Sequence, residues 1–369
     1  VSLSEQILRL KKLYTFSFSV FYAFAFLRKY VAIKTPPAHT IATPTRQIPM
    51  FAKSGTKGQE WELSLELKML ADVGLVGFPN AGKSTLINAL VGEKVAIVSW
   101  RPQTTRNKIL GIVNGTYKEE DYQMVFIDTP GIHNAKNHLG DYMMKSVEVG
   151  LKDVDGVLYV IDTAKGIQKE DYEFIEKHQD AKPLVVVLNK EDAVTKMTML
   201  DAIQKLTAFP QIKAVVPISA KKGENLDPII DELFHLLPEG VQMFPEEMFT
   251  DSSMRFMAAE IIREKALYLL DKEIPYGIGV YINKFEMRDD KPIYEIDADI
   301  VVEKQSHKAI VIGKGGSTLK EIASAARRDL EEMTGERVFL TLYVKAKPDW
   351  RNSDYLMREL GYDIKDLKK

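Results

Sequence analysis

The octapeptide Gly77-Phe78-Pro79-Asn80-Ala81-Gly82-Lys83-Ser84 constrains this chain more than any other stretch. It has the form GxxxxGKS, follows the apolar run LADVGLVG (70–77) and opens the helix-like run STLINALVG. Its glycines let backbone N–H groups wrap a phosphate chain with no Cβ in the way, and the helix N-terminus adds positive potential. Residues 77–85, Thr85 included, form the expected cradle; Lys83 reaches the β/γ-phosphates and Ser84 ligates Mg²⁺. The motif demands a strand–loop–helix unit and a bound nucleotide. It does not choose the base.

Further apolar runs place the motif in a fold. MVFID (124–128), GVLYVID (156–162), PLVVVLN (183–189) and AVVPIS (214–219) are short, branched and bounded by turn residues. Such runs suit strands buried on both faces of a largely parallel sheet. They alternate with helix-length segments such as DPIIDELFHLLP, which argues a doubly wound α/β domain over residues 62–237. A linker follows at 238–250, then a smaller α+β unit over 251–350 and a C-terminal tail or helix at 351–369. In that unit the pattern predicts a helix at 252–271, strands near 278–286 and 293–303, a glycine turn, a helix at 317–334 and a strand at 337–346.

Three further motifs end strands, the edge where α/β sheets bind ligands. Asp128-Thr129-Pro130-Gly131 ends MVFID: its Asp stands where a Mg²⁺ site needs a carboxylate, and Gly131 can donate its N–H to a γ-phosphate. Asn189-Lys190-Glu191-Asp192 ends another strand. Guanine offers N1–H and N2–H₂ donors that the Asp192 carboxylate accepts, whereas adenine would leave that carboxylate unpaired. Ser219-Ala220-Lys221 ends the last, where a backbone N–H can meet guanine O6. Together the four motifs select GTP/GDP with Mg²⁺.

The runs PQTTR (102–106), FIDTPGIH, NKED and SAKKGENLD, with the C-terminal unit, resemble the Era family of translation-factor-like GTPases over residues 85–350. The resemblance implies that PQTTR is the first switch, with Thr105, or alternatively Thr104, closing over Mg²⁺ and the γ-phosphate. Catalysis would then rest on Lys83, Thr105, Asp128 and Gly131. Ile132 stands where Ras-like enzymes carry a water-orienting glutamine, so slow intrinsic hydrolysis is expected. Asn80 matches an asparagine that holds K⁺ in related GTPases.

Ile312-Gly313-Lys314-Gly315-Gly316 runs an apolar segment into GxxG, the loop with which a KH domain clamps a nucleic-acid backbone. The surrounding stretch 304–328 carries Lys304, Lys308, Lys314, Lys320, Arg327 and Arg328 against Glu321 alone, although the whole chain is near neutral at −2. A basic face on an otherwise balanced chain is a placed charge. Lys308, Ile312–Gly316, Lys320 and Arg327 are the expected RNA contacts. The family resemblance implies a type II KH domain, the 3′ region of small-subunit ribosomal RNA, the 30S subunit as partner, and a monomer in the cytoplasm.

Residues 1–61 read differently. The uncharged run 13–27 spans roughly 22 Å as a helix, short of the roughly 30 Å hydrocarbon layer. It is read either as a peripheral membrane contact on the inner face of the cell membrane or as a leader without function. Residues 34–60 read as a linker. Residues 35–87 resemble instead the Obg GTPase family, as though two relatives were joined near Ser84–Asn88. The chain has no Cys, which excludes disulfides, thiolate metal sites and a Cys nucleophile.

Overall fold

Branched side chains pack well on a pleated surface, and the runs rich in them form the strands. The computed structural model describes residues 71–367 except 134, 153, 179–181, 237, 239, 241 and 366. The apolar run 13–27, the linker 34–60 and most of the Obg-like stretch lie outside the described residues. Strands β1 (Val73–Val76), β2 (Ile109–Tyr117), β3 (Glu120–Asp128), β4 (Gly156–Asp162), β5 (Leu184–Asn189) and β6 (Ile212–Pro217) form one sheet, ordered β2-β3-β1-β4-β5-β6. Every neighbouring pair is parallel except β2 with β3. Both faces are covered: Val185 and Val187 of β5 enter one core, and Leu184, Val186 and Leu188 enter another. Helices α1 (Lys83–Val91), α2 (His138–Lys152), α3 (Lys169–Lys177), α4 (Lys196–Leu206) and α5 (Asp227–Phe234) fill the connections. The stretch Ser84–Asn88, where the sequence reading set a join, lies within α1, a continuous helix with Leu86 and Ile87 fully buried.

The sequence reading lacked β2 and the first half of β3. They form a hairpin whose turn, Lys118-Glu119, has φ of 48° and 71°. Such a two-residue turn needs positive φ at both positions, which Asn-Gly usually supplies; Lys-Glu carries no such signal.

The second domain places α6 (Met254–Leu269), β7 (Gly279–Met287), β8 (Ile293–Val302), α7 (Gln305–Ile312), α8 (Ser317–Thr334) and β9 (Arg337–Ala346) in the order α-β-β-α-α-β. Its sheet is ordered β7-β8-β9, antiparallel then parallel. Alternate β8 residues Ile296, Ala298, Ile300 and Val302 face a core with Ile261 of α6 and Ile322 and Leu330 of α8. On the opposite face Val301 packs with Trp350, Met357 and Tyr362, together with Leu139, Tyr142 and Met143 of α2. The segment read as a C-terminal tail or helix is therefore a packed element. It contains α9 (Asp354–Glu359) and helps seat the second domain against the first. The stretch read as a linker also binds the first sheet: the Ile112 N–H donates to the Phe249 carbonyl at 2.9 Å, and Gln123 Nε2 to that of Phe244 at 2.9 Å.

Candidate nucleotide site and candidate RNA loop

β1 and β4 are neighbours whose following connections leave in opposite directions, and the P-loop crosses the crevice this creates. Gly77 has φ 152°, and a Cβ there would lie 2.3 Å from the Val160 carbonyl of β4. Gly82 has φ 94°, and its Cβ would meet Asn189 Nδ2 at 2.2 Å. Both positions need glycine for space as well as for conformation. Pro79 sits across from Gly131, where a Cβ would meet its backbone at 2.9 Å.

Lys83 folds back over the loop, donating to the Gly77 carbonyl at 2.9 Å. Burial pushes its ammonium down to about 8, with Asp128 working against the shift. Burial likewise raises the Asp128 carboxyl, opposed by Lys83, Ser84 and Thr105. A polyphosphate beside Lys83 and a divalent cation beside Asp128 would reverse both shifts.

Ser84, Thr105 and Asp128 converge. Ser84 Oγ donates to Asp128 Oδ2 at 2.6 Å, Thr105 Oγ1 lies 2.8 Å from Ser84 Oγ, and Thr105 Oγ1 reaches Asp128 Oδ2 at 3.3 Å. Asp128 Oδ1 is buried with no partner. Two hydroxyls beside a carboxylate with a spare oxygen suit a hard cation such as Mg²⁺, which takes few protein ligands and completes its shell with phosphate and water. The structure brings Thr105 to this point; Thr104 instead bonds Ser99 and the Arg101 carbonyl. Asn80 faces the same loop, its Nδ2 donating to the Trp100 carbonyl at 2.8 Å. Ile132 is partly buried against the core, and His133 Nδ1 lies 2.9 Å from the Gly131 carbonyl.

The motifs expected to read the base meet one another. Asn189 Oδ1 accepts from the backbone N–H groups of Lys190 and Ala220 at 2.8 and 3.0 Å. Lys190 has φ 70° and its ammonium reaches Asp162 at 2.6 Å. Asp192 is exposed, and the Ser219 hydroxyl donates to its Oδ1 at 2.7 Å, holding the carboxyl below its usual range. Lys221 is exposed beside them. Thr129 and Pro130 are buried, Thr129 Oγ1 donating to the Leu75 carbonyl at 2.7 Å.

In the second domain α7 ends at Ile312, which is partly buried against the core. Gly313, Gly315 and Gly316 follow with φ of 75°, 59° and 80°, and α8 starts at Ser317. Lys314, Lys320 and Arg327 are exposed and Lys308 half-buried. Arg327 stands apart, roughly 15 Å along α8 from its start.

Sequence reasoning missed how the first switch is held. Arg101 is buried: Nε donates to the Leu267 carbonyl at 2.6 Å and Nη2 to that of Leu270, capping the C-terminal end of α6. Arg106 is buried, and its Nη1 donates to the Ile278 carbonyl at 2.6 Å. In return Arg263 of α6, bidentate to Glu260, donates from Nη2 to the Thr104 carbonyl at 2.5 Å. The one local signal was the i, i+3 spacing of Glu260 and Arg263. The other partners are distant backbone carbonyls, which no side-chain pattern reports.

Comparison with known proteins agrees with this architecture. A family model described as a 50S ribosome-binding GTPase matches residues 72–190, and a KH domain model matches 273–351. A protein from Alkaliphilus metalliredigens named GTPase Era is 44% identical over 292 residues, covering 79% of this chain and 98% of its own. One from Clostridium botulinum strain Loch Maree, with the same name, is 45% identical over 291 residues, covering 79% and 97%. A solved Aquifex aeolicus Era variant bound to GDP and AlF₄⁻ superposes with a TM-score of 0.76 at 39% identity, covering 80% of this chain and 99% of its own. An Era in complex with MgGDPNP and nucleotides 1506–1542 of 16S ribosomal RNA matches with the same score, identity and coverage. With a relative 44% identical and matched over 98% of that relative's length, the chain belongs to the Era family of GTPases.

Proposed function

We propose that this protein is a GTP-hydrolysing switch that binds small-subunit ribosomal RNA through its KH domain and acts in 30S subunit assembly, in the cytoplasm. The observation that carries the reading is the loop 101–106, which touches the phosphate site through Thr105 and the KH domain through Arg101 and Arg106. A ligand can shift a conformational equilibrium only through contacts that differ between states, and this loop touches both the phosphate site and the domain that carries the RNA loop.

In this reading residues 77–85 cradle the phosphates, and Asn189, Lys190, Asp192, Ser219, Ala220 and Lys221 read guanine. Ser84 and Thr105, with Asp128 behind them, would hold Mg²⁺, which would supply charge neutralisation for the phosphates. Lys83 lies against the β/γ oxygens, and the Gly131 N–H meets the γ-phosphate. Ile132 cannot hydrogen-bond the attacking water, which makes the intrinsic rate slow. Asn80 donates its amide to the Trp100 carbonyl here; with the amide turned so that Oδ1 faces the phosphates, it would hold a K⁺ ion that adds charge where other GTPases use an arginine.

Lys308, Ile312–Gly316, Lys320 and Arg327 form the RNA surface, Arg327 at its far end. The structure of an Era with MgGDPNP and 16S RNA supports a small-subunit target and simultaneous occupancy of both sites. The test pairs GTP hydrolysis with binding of a 16S 3′-end oligonucleotide by the full chain. The reading expects both, with hydrolysis faster in K⁺ than in Na⁺. A chain that binds guanine nucleotide but no RNA would overturn it.

A further inference from the structure

Arg263 belongs to the KH domain by sequence, yet its guanidinium ends one residue from the candidate Mg²⁺ contact. Its side chain is 1% exposed, and Glu260 holds it in a fixed fork through Nε at 2.8 Å and Nη2 at 2.5 Å. The same Nη2 donates to the Thr104 carbonyl. That carbonyl begins the peptide leading to Thr105, whose hydroxyl meets Ser84 and Asp128. A planar guanidinium pinned by a carboxylate fixes an acceptor in position and angle, which a flexible ammonium does not.

We infer that Arg263 is a positioning residue for GTP hydrolysis: it sets the backbone at Thr104 so that the Thr105 hydroxyl faces the metal site. This rests on the reading of Thr105 as a Mg²⁺ contact. The KH domain thus supplies part of the geometry of the GTPase site as well as responding to it. Glu260 serves by holding Arg263.

The test uses the full chain. Removing Arg263 alone would strand the Glu260 charge in the interior, so the variant is Glu260→Gln with Arg263→Met, an apolar replacement of similar length. Two quantities are read: the Mg²⁺ concentration for half-maximal single-turnover GTP hydrolysis, and affinity for fluorescent GDP. The double variant should need about tenfold more Mg²⁺, the scale of one lost charge-assisted hydrogen bond, while GDP affinity stays within about twofold. A general packing defect would weaken GDP as well. Thr105→Val serves as control and should show the same Mg²⁺ shift. If Thr105→Val shifts the Mg²⁺ requirement and the double variant does not, the role of Arg263 is overturned. If neither shifts, the assignment of Thr105 falls, and the proposal with it. Should the double variant fail to fold, Arg263→Lys keeps the charge but cannot span Glu260 and the Thr104 carbonyl. It should raise the Mg²⁺ requirement too, and an unchanged requirement would overturn the proposal.

Discussion

Asn189 donates its side-chain amide to the Ala81 carbonyl at 2.8 Å, bolting the C-terminal end of β5 to the P-loop. The fit is tight, because a Cβ on Gly82 would overlap the same Nδ2 at 2.2 Å. Gly82→Ala should therefore break this link and strain a backbone at φ 94°. The expected loss of stability is about 1–3 kcal/mol, with nucleotide affinity reduced more than stability alone explains. Urea unfolding with and without GDP measures both; a variant stabilised by GDP as strongly as the parent would contradict the coupling.

Base choice should reside in Asp192. Asp192→Asn replaces one acceptor oxygen with a donor facing guanine N1–H and N2–H₂, and should weaken GTP about 100-fold or more. Xanthosine triphosphate carries a carbonyl at C2 and should gain affinity in the variant. Competition against fluorescent GDP decides; undiminished GTP binding would remove Asp192 from the guanine site.

Lys83 makes GTP binding pH-dependent in a definite direction. Its pKa is about 8 in the nucleotide-free protein, and a polyphosphate raises it. The charged lysine is then present in both states below pH 7, and binding takes up no proton there. As pH rises through the free-state value, binding must take up a proton, and affinity should fall by up to about tenfold per pH unit. Calorimetry near pH 9 in two buffers of different ionisation enthalpy should show proton uptake. Its absence would mean that Lys83 is not against the phosphates.

The RNA loop should separate cleanly from hydrolysis. Gly315 has φ 59° with open space around its Cα, and aspartate tolerates that conformation. Lys314→Glu with Gly315→Asp should abolish salt-sensitive RNA binding and leave basal GTPase activity within about twofold. RNA affinity across a salt series, beside phosphate release, measures this. Retained RNA binding would move the site elsewhere.

The parts of this protein legible in its sequence are those where chemistry fixes residue type and spacing. A P-loop must be glycine-rich and end in Lys-Ser, and buried parallel strands such as Leu184–Asn189 must be continuously apolar. The hairpin at Lys118-Glu119 was illegible because nothing in Lys-Glu announces positive φ. The C-terminal segment read only as a tail or helix, because Met357 and Tyr362, both buried, give no local sign of what they pack against. The roles of Arg101 and Arg106 left no mark in the sequence, since their partners are carbonyls some 170 residues away: Leu270 is 169 residues from Arg101, and Ile278 172 from Arg106.

The most direct test of the account is the affinity of the full chain for a 16S 3′-end RNA, measured with Mg²⁺ and a non-hydrolysable GTP analogue and then with GDP. Two sites joined through residues 101–106 should differ by about 5–150-fold between nucleotide states, with the GTP analogue favouring RNA. Equal RNA affinity in the two states would contradict the coupling, whatever each site does alone.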